Sequence, residues 1–253
     1  MARIDSFLKL GLAQGCSDVH LAVGVPPMLR LHGDLMPIMF RDLAAAEMES
    51  YVGEILSEAQ KERFSGGNDL DFSYVSQEGG RFRVNVFRKE TGVGATFRNI
   101  PNTVPTIESL SLPPVMTKFC DLHQGMVLVT GSTGTGKSTT LAAMIDHLNS
   151  TRNLNIISLE DPIEFVHQSK QAQIVQRELG SHVPSFADGV RAALREDPDV
   201  ILVGELRDAE TVSMAMTAAE TGHLVLGTLH TTSAVKSIDR MIDALPSDQR
   251  EQT

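Results

Sequence analysis

A glycine-rich segment, GSTGTGKSTT, starts at Gly131 and carries the strongest chemical signal in the sequence. Its spacing is G-x-x-x-x-G-K-S, between an apolar run and a stretch with helical periodicity. Glycines in such a loop let backbone N–H groups converge on an anion, and the positive end of the following helix adds to the attraction. An ordinary Gly/Ser-rich loop is the competing interpretation, and the strand and helix expected on either side argue against it. We predict that nucleotide phosphates are bound by Ser132, Thr133, Gly134, Thr135, Gly136, Lys137, Ser138 and Thr139.

Two side chains of this loop have a defined role in such sites. Lys137 would reach the β- and γ-phosphates of ATP, and the hydroxyl of Ser138 would ligate Mg²⁺. ATP and Mg²⁺ are therefore the expected ligands. Hydrolysis also needs one acid that holds the metal or its waters, and another that orients or deprotonates the attacking water.

A candidate for the metal-supporting acid follows the apolar run 200–203. An acid at the end of a buried strand beside a phosphate-binding loop can hold Mg²⁺ or its waters, and Glu205 is our candidate. The usual pattern has an aspartate directly after the apolar run, so the intervening Gly204 is a departure. A solvated turn between strand and helix is the competing interpretation of Glu205.

Three more acids lie in ISLEDPIEF, residues 157–165. Pro162 argues against a regular continuation of the strand, so we expect Glu164 on a turned loop that points back over the sheet. We predict Glu164 as the general base of hydrolysis and Glu160 as a metal ligand, with Asp161 also near the metal or its water shell. Which of Glu160 and Asp161 approaches the metal is left open, and at least one of the three acids is expected to be simply exposed.

Two histidines frame the apolar run 224–229. His230 ends this run on the side expected to face the ligand, where it would hydrogen-bond to the γ-phosphate or to one of the carboxylates. His223 precedes the run and should lie farther from the phosphates.

Alternating apolar and helical segments must position these groups. Because parallel strands need crossover helices, the alternation predicts an α/β unit with a parallel sheet covered on both faces. Ligands of such sheets bind beyond the carboxyl ends of the strands, where all of these candidates fall. The predicted strands are 126–130, 154–159, 199–203 and 223–229, and the predicted helices are 137–148, 186–196, 209–220 and 234–244.

The first hundred residues have a different pattern, which predicts a smaller α+β domain. Its strands are predicted at 18–24, 28–33 and 35–39, a helix at 43–64, and a hairpin at 81–88 and 93–100 with arginines on its polar face. Four prolines between Pro101 and Pro114 exclude regular structure there and indicate a linker. We therefore divide the chain into domain 1–100, linker 101–114 and domain 115–253.

Composition narrows the class of protein. The chain has 253 residues, 42% of them apolar, and a net charge of −10, which disfavours a nucleic-acid partner. It has neither an apolar run of about 18 residues nor a secretory signal, so we expect a cytoplasmic protein without a membrane span. The distant Cys16 and Cys120 are expected to be free thiols.

The four strand ends, in their order along the chain, resemble the Walker A, aspartate, Walker B and histidine boxes of the secretion-superfamily ATPases. The resemblance is strongest to the type IV pilus retraction (twitching motility) ATPases, and it extends to SDVHLAVGVPPMLRLHG, SLEDPIEFVH, ALREDPDVILVGELRD and TAAETGHLVLGTLHTTSA. It implies a RecA-like P-loop ATPase core preceded by a PAS-like domain. It further implies a homohexamer at the cytoplasmic face of the inner membrane, with an inner-membrane pilus platform protein as partner.

The same resemblance assigns roles to individual residues. It implies that Glu164 is the general base, that Glu205 supports the metal, and that Arg83 and Arg98 contact the phosphates. A solvated polar strand face is the competing interpretation of the two arginines.

Other functions remain possible on the sequence alone. A pilus assembly or type II secretion ATPase is the nearest alternative, but the short segment before SDVHL and the HTTSA sequence favour retraction. A RecA-like nucleic-acid motor and a nucleotide-binding regulatory module without useful turnover are more distant alternatives. Retraction ATPases normally continue into a helical C-terminal region, and no such segment is found in the sequence up to PSDQREQT. Whether the sequence is part of a longer chain or the protein lacks this region is left open.

Overall fold

An antiparallel sheet comes first in the chain and a parallel sheet second. The computed structural model describes residues 2–77, 79–101 and 103–244. The two sheets belong to separate units of the chain, Met1–Asn102 and Thr103–Thr253. In the described part of the predicted linker 101–114, the chain forms turns and irregular segments without a helix or strand.

The first unit contains a six-stranded sheet in the order β3-β2-β1-β6-β5-β4. Every neighbouring pair of its strands is antiparallel. The strands are β1 (Asp18–Ala22), β2 (Met28–Leu31), β3 (Asp34–Pro37), β4 (Leu70–Val75), β5 (Arg81–Lys89) and β6 (Gly92–Ile100). The helices are α1 (Asp5–Ala13), α2 (Ala45–Ile55) and α3 (Glu58–Ser65).

The two faces of this antiparallel sheet differ in polarity because side chains alternate along each strand. One face belongs to the apolar core of the unit, with Val19, Leu21, Phe82, Val84 and Phe97 packed against residues of the helices. The other face is polar. A single cross-strand row on it contains Arg30, Asp18, Arg98 and Arg83, since these residues are paired from strand to strand.

The predicted helix 43–64 is wrong as a single element, because α2 ends at Ile55 and α3 begins at Glu58. Leu56 has an extended backbone conformation, and Ser57 caps α3 by accepting a hydrogen bond from the backbone N–H of Gln60. The Gln60 side chain in turn accepts from the backbone N–H of Ser57, 2.9 Å away, which completes a capping box.

The second unit contains a five-stranded sheet in the order β7-β11-β10-β8-β9. All of its neighbouring strands are parallel. The strands are β7 (Gly125–Thr130), β8 (Asn155–Glu160), β9 (Gln173–Glu178), β10 (Val200–Val203) and β11 (Leu224–Leu229). The helices are α4 (Val115–Cys120), α5 (Lys137–Thr151), α6 (Phe186–Ala193), α7 (Ala209–Glu220) and α8 (Ala234–Ala244).

Helices cover both faces of the parallel sheet. Ile156, Leu202 and Leu226 lie in one core cluster with residues of α4 and α5. Their neighbours along the strands, such as Ile157 and Val203, lie in another cluster with residues of α6 and α7. Burial on both faces explains why these strands are continuous apolar runs. The predicted fold class, an α/β core preceded by a smaller α+β unit, is confirmed.

Two other features complete the description. Cys16 and Cys120 are buried free thiols, as predicted. Of the helices in the described ranges, none combines the length and apolar character needed to cross a membrane.

Candidate functional site

The predicted phosphate-binding loop connects the carboxyl end of β7 to the start of α5. The backbone N–H of Gly131 donates to the carbonyl oxygen of Leu229 on the neighbouring strand, at 3.3 Å. A Cβ atom on Gly131 would lie 2.6 Å from Oγ1 of Thr135, so the tight turn leaves no room for a side chain. Gly136 is in the left-handed region with φ of 93° where α5 begins, a conformation that favours glycine.

Two side chains fold back onto the loop. Oγ1 of Thr135 and Nζ of Lys137 each donate to the carbonyl oxygen of Ser132, at 2.8 Å. The lysine ammonium group is thereby held over the loop, and its remaining N–H donors are available to an anion. Ser132, Thr133, Gly134, Thr135 and Ser138 are exposed, so a ligand can reach them.

Strand order decides how far the other candidates lie from this loop. β11 is next to β7, followed by β10, β8 and β9. Neighbouring strands are about 4.8 Å apart, which places β10 roughly 10 Å and β8 roughly 14 Å from β7. Therefore the residue after β11 is nearest to the loop, the acid after β10 is next, and the acidic segment after β8 is farthest.

His230 and Glu205 come together at the carboxyl ends of β11 and β10. Nε2 of His230 lies 3.6 Å from Oε2 of Glu205. Nε of Arg207 lies 2.6 Å from the same oxygen. The Glu205 side chain is only 13% exposed, whereas that of His230 is 46% exposed and can also meet a ligand. The sequence offered the γ-phosphate or a carboxylate as the partner of His230, and the structure places the imidazole beside Glu205. Arg207 was not predicted at this edge.

The structure explains the glycine between β10 and Glu205. The backbone N–H of Gly204 donates to the carbonyl oxygen of Leu159 at 2.8 Å, and that of Leu206 donates to Thr228 at 3.0 Å. Sheet-like pairing therefore continues beyond Val203 on both sides. A Cβ atom on Gly204 would lie 3.1 Å from the Leu159 oxygen, so a glycine keeps β8 and β10 close where Glu205 emerges.

Glu160, the last residue of β8, is held toward β9. Its Oε1 accepts hydrogen bonds from Oγ of Ser158 at 2.6 Å and from Nε2 of Gln176 at 3.0 Å. Burial raises the pKa of Glu160, and these two hydrogen bonds, together with one from the backbone N–H of Glu164, offset that rise only in part. With its carboxylate engaged on the β9 side, Glu160 as a metal ligand stays a prediction.

The loop after β8 presents its other two acids to the outside. Asp161 and Glu164 are exposed, whereas Pro162 and Ile163 between them are buried. The Asp161–Pro162 peptide bond is cis. Among the described residues, none donates a hydrogen bond to the Glu164 carboxylate. The turned loop expected from the proline is present, and the role of Glu164 as general base stays a prediction.

His223 lies at the opposite end of the sheet from the loop. It precedes β11, and its Nδ1 lies 3.0 Å from the carbonyl oxygen of Ala218. Since β11 and β7 are parallel, this end of β11 is remote from Gly131, as the sequence predicted.

The two predicted arginines of the first unit lie directly opposite each other on β5 and β6. Nε of Arg98 is 3.0 Å from Oδ1 of Asp18, and Nε of Arg83 is 3.9 Å from Oδ1 of Asp71. Both arginine side chains remain substantially exposed, Arg98 at 68% and Arg83 at 40%. Their contact with phosphates stays a prediction.

The groups near the loop fit a magnesium–nucleotide complex. Within the described ranges, no cluster of three or more His, Cys, Asp and Glu side chains forms a metal site by itself. Mg²⁺ in nucleotide sites is held by one or two protein oxygens together with phosphates and water. The exposed hydroxyl of Ser138 and the carboxylate of Glu205 are donors of this kind, so the residues present suit the metal.

Comparison with known proteins gives consistent results. Residues 78–248 match the sequence model of a family described as type II/IV secretion system protein. The chain is 48% identical over 247 residues to the type IV pilus retraction ATPase PilT of Pseudomonas aeruginosa, with 98% of this chain and 72% of that protein aligned. It is 51% identical over 248 residues to a twitching motility protein of Neisseria gonorrhoeae, with 98% of this chain and 66% of the relative aligned.

A solved structure shares the fold over the whole chain. The crystal structure of the pilus retraction motor PilT with bound ADP superposes with a TM-score of 0.94 at 44% identity. The match covers 100% of this chain and 74% of that one.

Proposed function

Because the chain belongs to the type II/IV secretion system protein family, we propose that it is a Mg²⁺-dependent ATPase that powers retraction of type IV pili. One observation carries the enzymatic part of this proposal. The loop of Lys137, the His230–Glu205 pair and the exposed Glu164 all emerge at the carboxyl edge of one parallel sheet. The pilus part is supported by the 48% identity to a retraction ATPase.

ATP binds through the loop 131–139 in this proposal. Backbone N–H groups and the Lys137 ammonium group neutralise the phosphates, and the positive N-terminal end of α5 contributes to their binding. ADP bound to a solved relative of the same fold supports nucleotide binding by this chain. Ser138 and Glu205 would hold Mg²⁺, and the chemistry that the metal would supply is neutralisation of phosphate charge. Glu160 would also support the metal, with Asp161 near the metal or its water shell.

Glu164 acts as the general base. It accepts the proton of a water molecule that attacks the γ-phosphorus, and ADP leaves. Its exposure and the absence of a hydrogen-bond donor to it among the described residues support this assignment over Glu160, whose carboxylate is already engaged. His230 lies beside the Glu205 carboxylate and senses whether the γ-phosphate is present.

The active assembly is a homohexamer at the cytoplasmic face of the inner membrane, with a pilus platform protein as partner. Arg83 and Arg98 supply positive charge to the phosphates, and arginines of this kind are worth ~10³-fold in other nucleotide hydrolases. Their paired position on an exposed polar sheet face supports this role. The net charge of −10 argues against a nucleic-acid substrate.

Two variants test the proposal. Lys137→Ala should abolish ATP hydrolysis and weaken nucleotide binding, because the principal cation over the loop is lost. Glu164→Gln should retain ATP binding while hydrolysis slows by ~100-fold or more, as expected for loss of a general base. Turnover is measured by phosphate release, and binding with a fluorescent ATP analogue.

The cellular test uses a strain in which the gene is deleted and replaced by each variant. Twitching should be absent with either variant and restored by the wild-type gene, while pili remain on the surface. Loss of surface pili on deletion would instead indicate an assembly ATPase. Normal twitching in the deletion strain, or hydrolysis strongly stimulated by DNA, would refute retraction as the function.

A further inference from the structure

Gln176, on the edge strand β9, contacts the acidic loop at three points. Its Nε2 donates to Oε1 of Glu160 at 3.0 Å and to the carbonyl oxygen of Phe165 at 2.8 Å. Its Oε1 accepts from the backbone N–H of His167 at 2.8 Å. Both N–H bonds and the oxygen of the amide are therefore used on one short segment, residues 160–167.

These three contacts lie on both sides of Glu164. Glu160 is where the loop leaves β8, Phe165 follows Glu164 directly, and His167 comes two residues after Phe165. Two residues farther along β9, Oε2 of the buried Glu178 accepts from the backbone N–H of Ile163 at 3.2 Å. The backbone around Glu164 is thus tied to β9 immediately before and after it, while the Glu164 carboxylate itself remains exposed.

Only an amide at position 176 satisfies this arrangement. Two of its partners, the Glu160 carboxylate and the Phe165 carbonyl, are acceptors, whereas the His167 N–H is a donor. A carboxylate lacks the two donors, and an aliphatic side chain lacks all three interactions.

We infer that Gln176 is a positioning residue for hydrolysis, which fixes the loop so that Glu164 faces the attacking water. The inference rests on the proposed function, in which Glu164 is the base. Gln176 itself touches no reacting atom. Displacement of a catalytic group by about 1 Å is enough to cost ~10²-fold in rate, so loss of these contacts has a large effect without any change in the phosphate loop.

The test compares Gln176→Leu with Gln173→Leu. Gln173 lies on the same strand but is exposed, so its variant carries the same chemical change away from the loop. Gln176→Leu should lower kcat by about 10- to 100-fold, with KM for ATP and affinity for ADP within about twofold of wild type. Gln173→Leu should match wild type in all of these quantities.

A double-mutant cycle separates positioning of Glu164 from general damage to the fold. If Gln176 acts through Glu164, then Gln176→Leu should slow a Glu164→Gln enzyme by less than about twofold. Single turnovers with radiolabelled ATP give rates for even the slowest variants. The inference is overturned if the losses of the two single variants multiply in the double variant. It is also overturned if Gln176→Leu has the wild-type kcat, or if its KM for ATP rises by the same factor as its kcat falls.

The outcome is distinguishable from failure of the proposed function. Absence of ATP hydrolysis by the wild-type protein would remove both claims. If the wild-type protein hydrolyses ATP and Glu164→Gln slows the reaction, the proposed function stands. If Gln176→Leu then has the wild-type rate, only the positioning role of Gln176 is refuted.

Discussion

Gly204→Ala is expected to impair catalysis through a backbone clash and without removing any functional group. The added Cβ would lie 3.1 Å from the Leu159 oxygen and 3.4 Å from Cα of Glu160. Both are backbone atoms of a buried central strand, so neither can turn away. Ordinary van der Waals contact begins near 3.4 Å, so β8 and β10 must separate by a few tenths of an ångström at this point.

The expected cost follows from overpacking, which destabilises by about 1–3 kcal/mol. For a chain of this size that corresponds to a fall in Tm of roughly 3–9 °C. Because Glu205 follows Gly204 directly and Glu160 follows Leu159, the displacement reaches two of the predicted metal-site acids. We therefore expect kcat to fall about tenfold, since small displacements of catalytic groups have effects of this size or larger.

The assay combines thermal unfolding with steady-state ATP hydrolysis. Gly53→Ala is the matched control, because a Cβ on Gly53, within α2, meets no atom within 4 Å. The free energy of unfolding of Gly53→Ala should rise by about 0.5–1 kcal/mol, because alanine lowers the conformational entropy of the unfolded chain. Its Tm should therefore be slightly higher, and its turnover should be unchanged. Wild-type Tm and kcat in Gly204→Ala would show that the close approach of β8 and β10 does not constrain the site.

Two further predictions address the arginine row and a buried histidine. Arg98→Ala should lower turnover at least tenfold while costing under ~1 kcal/mol of stability, because the ion pair with Asp18 is mostly exposed on the arginine side. Arg30→Ala, on the other side of Asp18 in the same row, should leave turnover unchanged. If Arg98→Ala lowers Tm strongly as well as turnover, Arg98 has a structural role on the polar sheet face and not a role at the phosphates. Burial lowers the pKa of His167 to about 4, from 6.5, so the unfolded chain binds the proton more readily and stability falls as pH drops below 6.5. Between pH 7 and 5 the loss attributable to His167 should be about 1–2 kcal/mol, and His167→Gln should flatten this part of the Tm–pH curve. The same slope in wild type and variant would refute that assignment.

The elements around the site could be predicted because apolar runs and motifs coincide there. The central strands β8, β10 and β11 are largely buried on both faces, and β7 is partly buried with its side chains alternating between the two core clusters, so each reads as a short continuous apolar stretch. The sequence therefore located the phosphate loop, the His230–Glu205 edge and the turned loop of Glu164.

The edge strand β9 could not be found in this way. Its sequence, QIVQRE, has only two apolar residues, and its polar side chains serve the neighbouring loop rather than a core. Gln176 was missed for the same reason, since a single sequence does not contain the register that brings Gln176 opposite Ser158. Arg207 was missed because the sequence does not show that its side chain turns back onto Glu205, two residues before it.

Two misjudgements in the first unit have local causes. The break between α2 and α3 was signalled by Ser57 and Gln60, whose spacing is that of a capping box, but helical periodicity continues across it. The second misjudgement is that α1 was not predicted, because it contains Gly11, which lowers helix propensity. A Cβ there would lie 2.7 Å from both Cys16 and Val19, so close packing selects glycine despite this cost.

The pairing around Glu205 also determines which part of the site can fluctuate. The segment that carries Glu205 is hydrogen-bonded to β8 on one side and to β11 on the other, so its amides open only when the centre of the sheet opens. The loop of Glu164 is tied to the edge strand β9 through side-chain hydrogen bonds, so its opening breaks these bonds and exposes Ile163 but breaks no bond of the strand ladder. In terms of local stability, the proposed metal-supporting acid, Glu205, belongs to the rigid frame of the sheet, and the proposed base, Glu164, belongs to a loop that can open while the strand ladder stays intact.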